Sequence, residues 1–216
     1  MERNILVIAG ASGAGKTTVA TEIIAAHPEF SLIRSITTRK KRGDGHDDEY
    51  IYTDREDFMK RAERGELVEY MEYGSNLYGT PVSELDRVFS EGKIPLLILD
   101  IEGVRSLRRG NFDFDSVIVY VWDELDVIER RLYARDLAEP TAEKLLSFVK
   151  RKEMNIRDYL LMPSIVHLFD AFVRNEAVEL AAGEVFRVFL KVSGGKPIES
   201  DNGAIAAALA EMASKK

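Results

Sequence analysis

Cysteine is absent from the 216 residues of this sequence, so a disulfide framework, a thiolate metal site and a cysteine nucleophile are all excluded. Histidine is scarce, and His27, His46 and His167 stand neither at metal-ligand spacing nor in a Ser-His-Asp arrangement. No apolar run is long enough to span a membrane, and the first residues lack the cleavage site of a secretion signal. These absences predict an untargeted, cytoplasmic protein without a membrane segment.

An excess of positive charge is missing as well. The chain has 30 Lys and Arg against 37 Asp and Glu, which gives a formal net charge of -7. Because affinity for a phosphate backbone is mostly electrostatic, this balance argues against a general nucleic-acid binder. Apolar residues at 45% and charged residues at 31% are typical of a soluble globular protein. A chain of this length favours one domain with insertions.

Four short apolar runs predict buried parallel strands. They are Ile5–Ala9, Leu96–Leu99, Val117–Val121 and Ala171–Val173. Long stretches with helical spacing separate them, including the runs Ile128–Leu132 and Leu145–Val149. This alternation predicts an α/β fold in which a parallel sheet is flanked by helices.

Two charged stretches interrupt the pattern. Residues 35–80 are rich in charge, Tyr and Gly and predict an insertion that projects from the sheet, and residues from about 126 to 159 predict a helical lid. The core is then formed by residues 1–34 and 81–192, and residues 193–216 form a linker and a helical tail. Because Ile205, Leu209 and Met212 share one helical face, the tail either docks on its own domain or a second subunit, or stays a frayed terminus.

The strongest motif is the segment Gly10-Ala11-Ser12-Gly13-Ala14-Gly15-Lys16-Thr17, which matches G-x-x-x-x-G-K-[ST]. It follows a predicted strand and opens a predicted helix, as a phosphate-binding loop requires. The glycines let successive N–H groups face phosphate oxygens, and the helix adds the positive end of its dipole. Lys16 would then hold the β- and γ-phosphates of ATP, and the Thr17 hydroxyl would bind Mg²⁺. We predict a P-loop NTPase fold whose ATP site also includes Thr18.

A second, weaker element is the apolar run Leu96–Leu99, which ends in Asp100. In P-loop folds an acidic residue at such a strand end lies beside Mg²⁺ and organises its waters. An apolar strand closed by Asp is common in α/β proteins, so this prediction depends on the phosphate loop.

A basic run inside the predicted insertion suggests an anion site. Five basic residues and no acid lie between Arg34 and Arg42. Arg presents a planar fork that binds phosphate bidentately, which suits Arg39 and Arg42 to hold a monophosphate acceptor. From this run alone, a solvated basic loop is an equal alternative.

Beyond the phosphate loop, an ordered set of residues follows along the chain: Ser35-Ile36-Thr37-Thr38-Arg39, Arg42, Tyr50, Glu69 and Asn76-Leu77-Tyr78-Gly79-Thr80. With this set, the sequence resembles the guanylate kinase family over roughly residues 4–190. The resemblance implies that the GMP phosphate is surrounded by Ser35, Arg39, Arg42, Tyr50 and Tyr78. It implies further that Glu69 and Thr80 read the guanine edge, and we include Gly79, Asp100 and Glu102 in the GMP site.

The resemblance also extends to the lid and the last strand. Arg131 and Arg135 resemble lid arginines that close on the phosphates, and Asn175 resembles the end of the family's final strand near the adenine. The stretch after Arg135 is longer than in the family, so the second lid cation is Arg151 or Lys150, and we select Arg151.

Two further positions depart from the family pattern. The interval from Arg42 to Tyr50 is one residue shorter than usual and has Asp44 after the glycine. The strand-end motif Asp100-Ile101-Glu102-Gly103 is two residues short, which affects a second acidic contact to guanine.

These features predict an ATP-dependent nucleoside monophosphate kinase that phosphorylates GMP, and dGMP with it. Transfer requires positioning and cations rather than a catalytic base, and we expect the catalytic residues to be Lys16, Arg39, Arg42, Arg135 and Arg151. One alternative is a P-loop kinase of another small phosphorylated acceptor. Another is a non-catalytic guanylate-kinase-like module, which the complete phosphate loop disfavours.

Overall fold

The structure is a computed structural model that describes residues 3–41, 50–73 and 75–216. Its described strands are β1 (Asn4–Ala9), β2 (Phe30–Leu32), β3 (Ser35–Thr37), β4 (Tyr50–Tyr52), β5 (Leu67–Tyr73), β6 (Asn76–Pro81), β7 (Ile94–Leu99), β8 (Asp115–Trp122) and β9 (Ala171–Arg174). Its described helices are α1 (Lys16–Ala26), α2 (Arg55–Glu63), α3 (Val82–Ser90), α4 (Ile101–Arg109), α5 (Leu125–Asp136), α6 (Ala142–Ile165), α7 (Val178–Ser193) and α8 (Asn202–Ser214). A short 3-10 helix at Val166–Leu168 follows α6.

Five strands form a sheet in the order β2-β7-β1-β8-β9, in which the β2–β7 and β8–β9 pairs are parallel. The four apolar runs all become strands of this sheet, so the predicted α/β class is confirmed. Ile5–Ala9 in β1 is fully buried, as expected for a central strand covered on both faces. The sequence does not predict β2, because three residues are too few to show a period.

A second sheet has the order β4-β3-β6-β5, and its strands lie within residues 35–81. β3 pairs with β4 in parallel, whereas β6 pairs antiparallel with both β3 and β5. The buried side chains of Ile36, Phe58 and Leu77 form a small core of its own under this sheet. The predicted insertion therefore carries its own sheet and core, although its boundaries remain a prediction.

Four helices begin at a side chain that accepts a hydrogen bond from a backbone N–H of the first turn. The capping residues are Asp54 for α2, Asp100 for α4, Thr141 for α6 and Asp201 for α8. None of the helices within the described ranges is both long enough and apolar enough to cross a membrane.

The tail folds onto the chain itself, because α8 packs along α6. Its buried residues are Ala206, Leu209 and Ala213. The Met212 Sδ atom accepts a hydrogen bond from the Leu125 N–H at 3.4 Å, and Lys216 pairs with Asp126. Of the alternatives considered for the tail, the structure therefore has a docked helix.

The chain divides into two compact units. The first comprises Met1–Val7 and Ile24–Ser116, and the second comprises Ile8–Ile23 and Val117–Lys216. The phosphate-loop motif lies wholly in the second unit, together with the predicted lid. The predicted acceptor residues lie in the first unit, so each half of the site is described by itself.

Candidate active site

The phosphate loop joins β1 to α1 and depends on glycine at two positions in particular. Gly13 and Gly15 have φ angles of 88° and 90°, a region that side chains other than that of glycine rarely adopt. Space is restricted as well, because a Cβ atom on Gly13 would lie 2.7 Å from Leu132 Cγ, and one on Gly15 would lie 2.2 Å from Asn175 Nδ2. The motif glycines are therefore required both by conformation and by close packing.

Lys16 bridges the loop from the first residue of α1. Its ammonium group donates to the carbonyl oxygens of Gly10 at 2.8 Å and Ala11 at 2.9 Å. Thr17 follows in the first turn of the helix, where its hydroxyl is at the positive end of the helix dipole. The loop thus presents the Lys16 ammonium group, the Thr17 hydroxyl and a helix N-terminus in a single short segment, which is the chemistry of a phosphate site.

Two buried asparagines hold the loop backbone. The Asn155 carboxamide accepts from the Ser12 N–H at 2.9 Å and donates to the Ser12 carbonyl at 2.8 Å. The Asn175 carboxamide donates to the Ala14 carbonyl at 2.8 Å. Asn175 thus contacts the phosphate loop in this structure, and its predicted place near the adenine stays a prediction.

The two arginines predicted for the lid meet at one carboxylate. Arg135, in the last turn of α5, pairs with Asp136 at 2.8 Å, and Arg151, on α6, pairs with the same carboxylate at 3.3 Å. The Arg151 side chain is only 14% exposed, whereas that of Arg135 is 55% exposed. The structure therefore brings the two predicted lid arginines together around Asp136.

Arg131 occupies a different place. Its guanidinium pairs with the buried Asp123 at 3.0 Å and donates to the Asn175 carbonyl at 3.0 Å. These contacts tie α5 to the residues that follow β8 and β9. A direct contact between Arg131 and ATP stays a prediction.

In the first unit, Arg39 lies in a group of tyrosines. Its guanidinium carbon is 4.9 Å from the centre of the Tyr50 ring, and its Nη2 donates to the Tyr52 hydroxyl at 3.2 Å. The Tyr78 ring contacts Tyr50 edge-on with 6.2 Å between ring centres, and Ser35 pairs with Tyr50 in register. Four of the five residues predicted to surround the acceptor phosphate thus lie together, and Arg42 lies outside the described residues.

Glu69 is the buried carboxylate of this unit. It pairs with Thr80 in the β5–β6 register, and the Thr80 hydroxyl donates to its Oε1 at 2.7 Å. Only 6% of Glu69 and 2% of Thr80 are exposed. Burial raises the pKa of Glu69 from its usual 4.5 to about 7, the charge of Asp100 acts in the same direction, and the hydrogen bonds from Thr80 oppose them.

Asp100 and the start of α4 lie beside this carboxylate. Asp100 Oδ1 accepts from the Gly103 N–H at 2.8 Å, and a Cβ on Gly103 would lie 3.3 Å from Glu69 Oε2. Glu102 is 56% exposed and pairs with Arg105 at 2.7 Å, so its role in reading the base stays a prediction. The absence of a side chain at Gly103 leaves room for Glu69.

Gly79 has a structural reason to be glycine. A Cβ atom there would lie 2.9 Å from the Glu69 carbonyl oxygen on the neighbouring strand. The residue thus permits the close approach of β5 and β6 that places Glu69 opposite Thr80.

A family model described as guanylate kinase matches residues 2–191. This range contains both the phosphate loop and the residues around Arg39 and Glu69. The chain belongs to the guanylate kinase family. It is 34% identical to the guanylate kinase of Streptomyces kasugaensis over 198 residues, which cover 90% of each chain. It is 30% identical to the guanylate kinase of Mycoplasmopsis pulmonis over 200 residues, which cover 90% of this chain and 97% of the relative.

A solved structure supports the fold. The guanylate kinase of Anaplasma phagocytophilum aligns with 86% of this chain and 84% of its own at a TM-score of 0.62 and 24% identity. The resemblance to guanylate kinases and the predicted P-loop NTPase fold are both confirmed. The helix α8 lies beyond the part of the chain that matches the family model.

The sequence does not single out Tyr52, Asp136 or Asn155. Tyr52 could have been found from the strand pattern, because Tyr50 and Tyr52 alternate onto the same face of β4. Asp136 follows Arg135 directly, but nothing local shows that Arg151 reaches it. Asn155 has no local signal, because its partner Ser12 is 143 residues away.

Proposed function

We propose that the chain transfers the γ-phosphoryl group of ATP to GMP, with the nucleotides held by the residues described above. The observation that carries the choice of acceptor is the buried Glu69, whose carboxylate is paired with the Thr80 hydroxyl. A buried carboxylate suits a ligand edge with two adjacent donors, and guanine offers N1–H and the 2-amino group there. Adenine would present an acceptor in the same place.

The donor half uses the phosphate loop. Lys16 binds the β- and γ-phosphates, and the N–H groups of Gly13 and Gly15 face the phosphate oxygens together with the N-terminus of α1. The Ala14 N–H instead donates to the Ala11 carbonyl at 3.2 Å. The chain fits Mg²⁺ at the phosphate loop, since the Thr17 hydroxyl is an oxygen ligand of the kind that this ion prefers and would bind it beside the ATP phosphates. When bound, Mg²⁺ neutralises phosphate charge, and Asp100 is proposed to arrange its waters.

The acceptor half uses the tyrosine group. Arg39 binds the GMP phosphate through its fork, and its contact with Tyr52 holds that fork in place. Ser35, Tyr50 and Tyr78 supply hydroxyl groups to the same phosphate, and Arg42 is proposed to join them. Phosphoryl transfer then requires only that the acceptor oxygen be aligned with the γ-phosphorus.

The lid supplies the remaining cations. Arg135 and Arg151 leave Asp136 to neutralise the charge on the transferred group, and closure of the lid excludes the water that would otherwise hydrolyse ATP. This requires no catalytic base. Because the phosphate loop is complete and Lys16 is in place, a non-catalytic binding module is disfavoured.

The test is a coupled assay of ADP release with a panel of nucleoside monophosphates. We expect GMP to be the best acceptor, dGMP to follow because it shares the base and the phosphate, and AMP and CMP to be slower by about 10⁴-fold. Turnover of AMP or CMP at a rate similar to that of GMP would refute the assignment of Glu69 and Thr80 to guanine.

A further inference from the structure

Asn155 is a buried carboxamide on the predicted lid helix that the reaction described so far does not use. It lies in the middle of α6, is 2% exposed, and makes both of its short hydrogen bonds to the main chain of Ser12. Pairing with both the N–H and the C=O of one residue is what a neighbouring β-strand does. Here a side chain performs that function inside the phosphate loop.

The consequence for the loop follows from peptide planarity. The Ser12 carbonyl and the Gly13 N–H belong to one trans peptide unit, so they point in opposite directions. When Asn155 holds the Ser12 carbonyl, it also sets the direction of the Gly13 N–H. Asn175 acts in the same way two peptide units later, because it holds the Ala14 carbonyl and so orients the Gly15 N–H.

The orientation of these two peptide units has to be fixed by contacts from outside the loop, because the second residue of each unit is a glycine. Gly13 and Gly15 allow a wide range of φ, so neither peptide plane is fixed by local sterics. An inverted peptide would point a carbonyl oxygen at the phosphate oxygens in place of an N–H. The two asparagines keep the carbonyl oxygens turned away from the anion.

Asn155 also connects the loop to the lid. Arg151 lies four residues earlier on α6, one turn away on the same face. Tyr159 lies one turn later, and its hydroxyl donates to the Asp123 carbonyl at 2.7 Å, just after β8. At the Arg151 end of the helix, Arg151 pairs with Asp136 and Lys152 pairs with Glu129 on α5. One turn after Arg151, the bonds between Asn155 and Ser12 join the same face of the helix to the phosphate loop.

We propose that Asn155 is a positioning residue for the donor phosphates: it orients the Ser12–Gly13 peptide toward ATP and keeps Arg151 in register with the phosphate loop. The inference rests on the assignment of ATP to that loop. An aspartate in its place keeps the shape, but it cannot donate to the Ser12 carbonyl when ionised and brings negative charge toward the phosphates. Asn155→Asp is therefore the most informative change.

The experiment compares the full chain with Asn155→Asp in titration calorimetry. The probes are the non-hydrolysable β,γ-imido analogue of ATP, with Mg²⁺, and GMP. We expect the analogue to bind about 10- to 100-fold more weakly and GMP to bind within twofold of the unaltered protein. In turnover assays, KM for ATP should rise while KM for GMP stays constant, a split that general loosening of the structure would not produce.

The control is Asn202→Asp, which removes a similar donation to a main-chain carbonyl, that of Asp170, at 3.0 Å and away from the loop. It should leave both affinities unchanged. If Asn155→Asp does not fold, Asn155→Ala replaces it, because the space it vacates admits water to bond with Ser12. Failure of both variants to fold would make Asn155 purely structural and would overturn the inference.

The outcomes separate the two proposals. If the unaltered protein does not bind the ATP analogue, the assignment of ATP to the loop is wrong. If the unaltered protein binds it and folded Asn155→Asp binds it equally well, or loses GMP affinity in parallel, only the role of Asn155 is wrong.

Discussion

Glu69→Gln should make the protein more stable and less active at the same time. The substitution keeps the size of the side chain, and the glutamine oxygen can still accept the hydrogen bond from the Thr80 hydroxyl, which is now 2.7 Å from Glu69 Oε1. What it removes is a negative charge from a site where the side chain is nearly completely buried. We expect that charge to lower the stability of the folded protein and to support its activity.

The stability effect follows from the pKa of Glu69, which burial raises from 4.5 to about 7. The folded state favours the protonated form of Glu69, so the free energy of unfolding decreases as the pH rises from 4.5 to 7. Above pH 7 the full decrease is present. A rise of about 2.5 in pKa corresponds to about 3 kcal/mol. Glutamine does not bear this cost.

Urea unfolding measures the difference directly. At pH 8, Glu69→Gln should be more stable than the unaltered protein by up to about 3 kcal/mol, and at pH 5 by less than about 1 kcal/mol. Glu72→Gln is the matched control, because Glu72 lies on the same strand with its side chain 50% exposed and paired with Arg55. Because an exposed ion pair contributes little, Glu72→Gln should change the free energy of unfolding by less than about 1 kcal/mol.

Activity should change in the other direction. In the proposed complex, the guanine donors that meet the Glu69 carboxylate would meet the neutral amide of glutamine in the variant. The value of kcat/KM for GMP should therefore fall about 30- to 150-fold, which corresponds to roughly 2 to 3 kcal/mol. KM for ATP should be unchanged. Because GMP selects the ionised form of Glu69, its binding below pH 7 should release a proton, which calorimetry in buffers of different ionisation enthalpy detects.

Two results would contradict this reasoning. A stability difference between Glu69→Gln and the unaltered protein that is the same at pH 5 and pH 8 would mean that Glu69 is not titrating near neutrality. Unchanged use of GMP by Glu69→Gln would mean that the guanine edge is read elsewhere, even if the stability prediction holds.

Three further changes test other parts of the chain. Lys16→Ala should lower kcat by about a thousandfold while circular dichroism shows an intact fold, and unchanged turnover would exclude the phosphate loop from catalysis. Asp136→Asn should lower KM for ATP by about 2- to 5-fold, since Arg135 and Arg151 would no longer have to leave a carboxylate; a higher KM would show that Asp136 orients them instead. Truncation after Val192 removes the docked helix α8 and should lower the melting temperature by at least about 4 °C while GMP is still phosphorylated, and loss of turnover by a folded truncated protein would place the tail in the active site.

Several parts of the fold can be predicted because their signals are local or periodic. The strands β1, β7, β8 and β9 are continuous apolar runs, and such runs are buried wherever the sheet places them. The proposed acceptor residues Arg39, Glu69 and Thr80 are recognisable only as members of an ordered set, since each alone is an ordinary polar residue. The strand β2 is missed because it is too short to show a pattern.

The sequence by itself determined the phosphate loop, because all eight residues of Gly10 to Thr17 are contiguous and their backbone requirements are local. Tertiary structure decided the properties that depend on distances between remote residues. The raised pKa of Glu69 is one, since it arises from the burial of a strand residue beside Thr80 and Asp100. The hydrogen bonds between Asn155 and Ser12 are another, because the two residues are 143 positions apart in the sequence and only the folded chain places the carboxamide beside the loop.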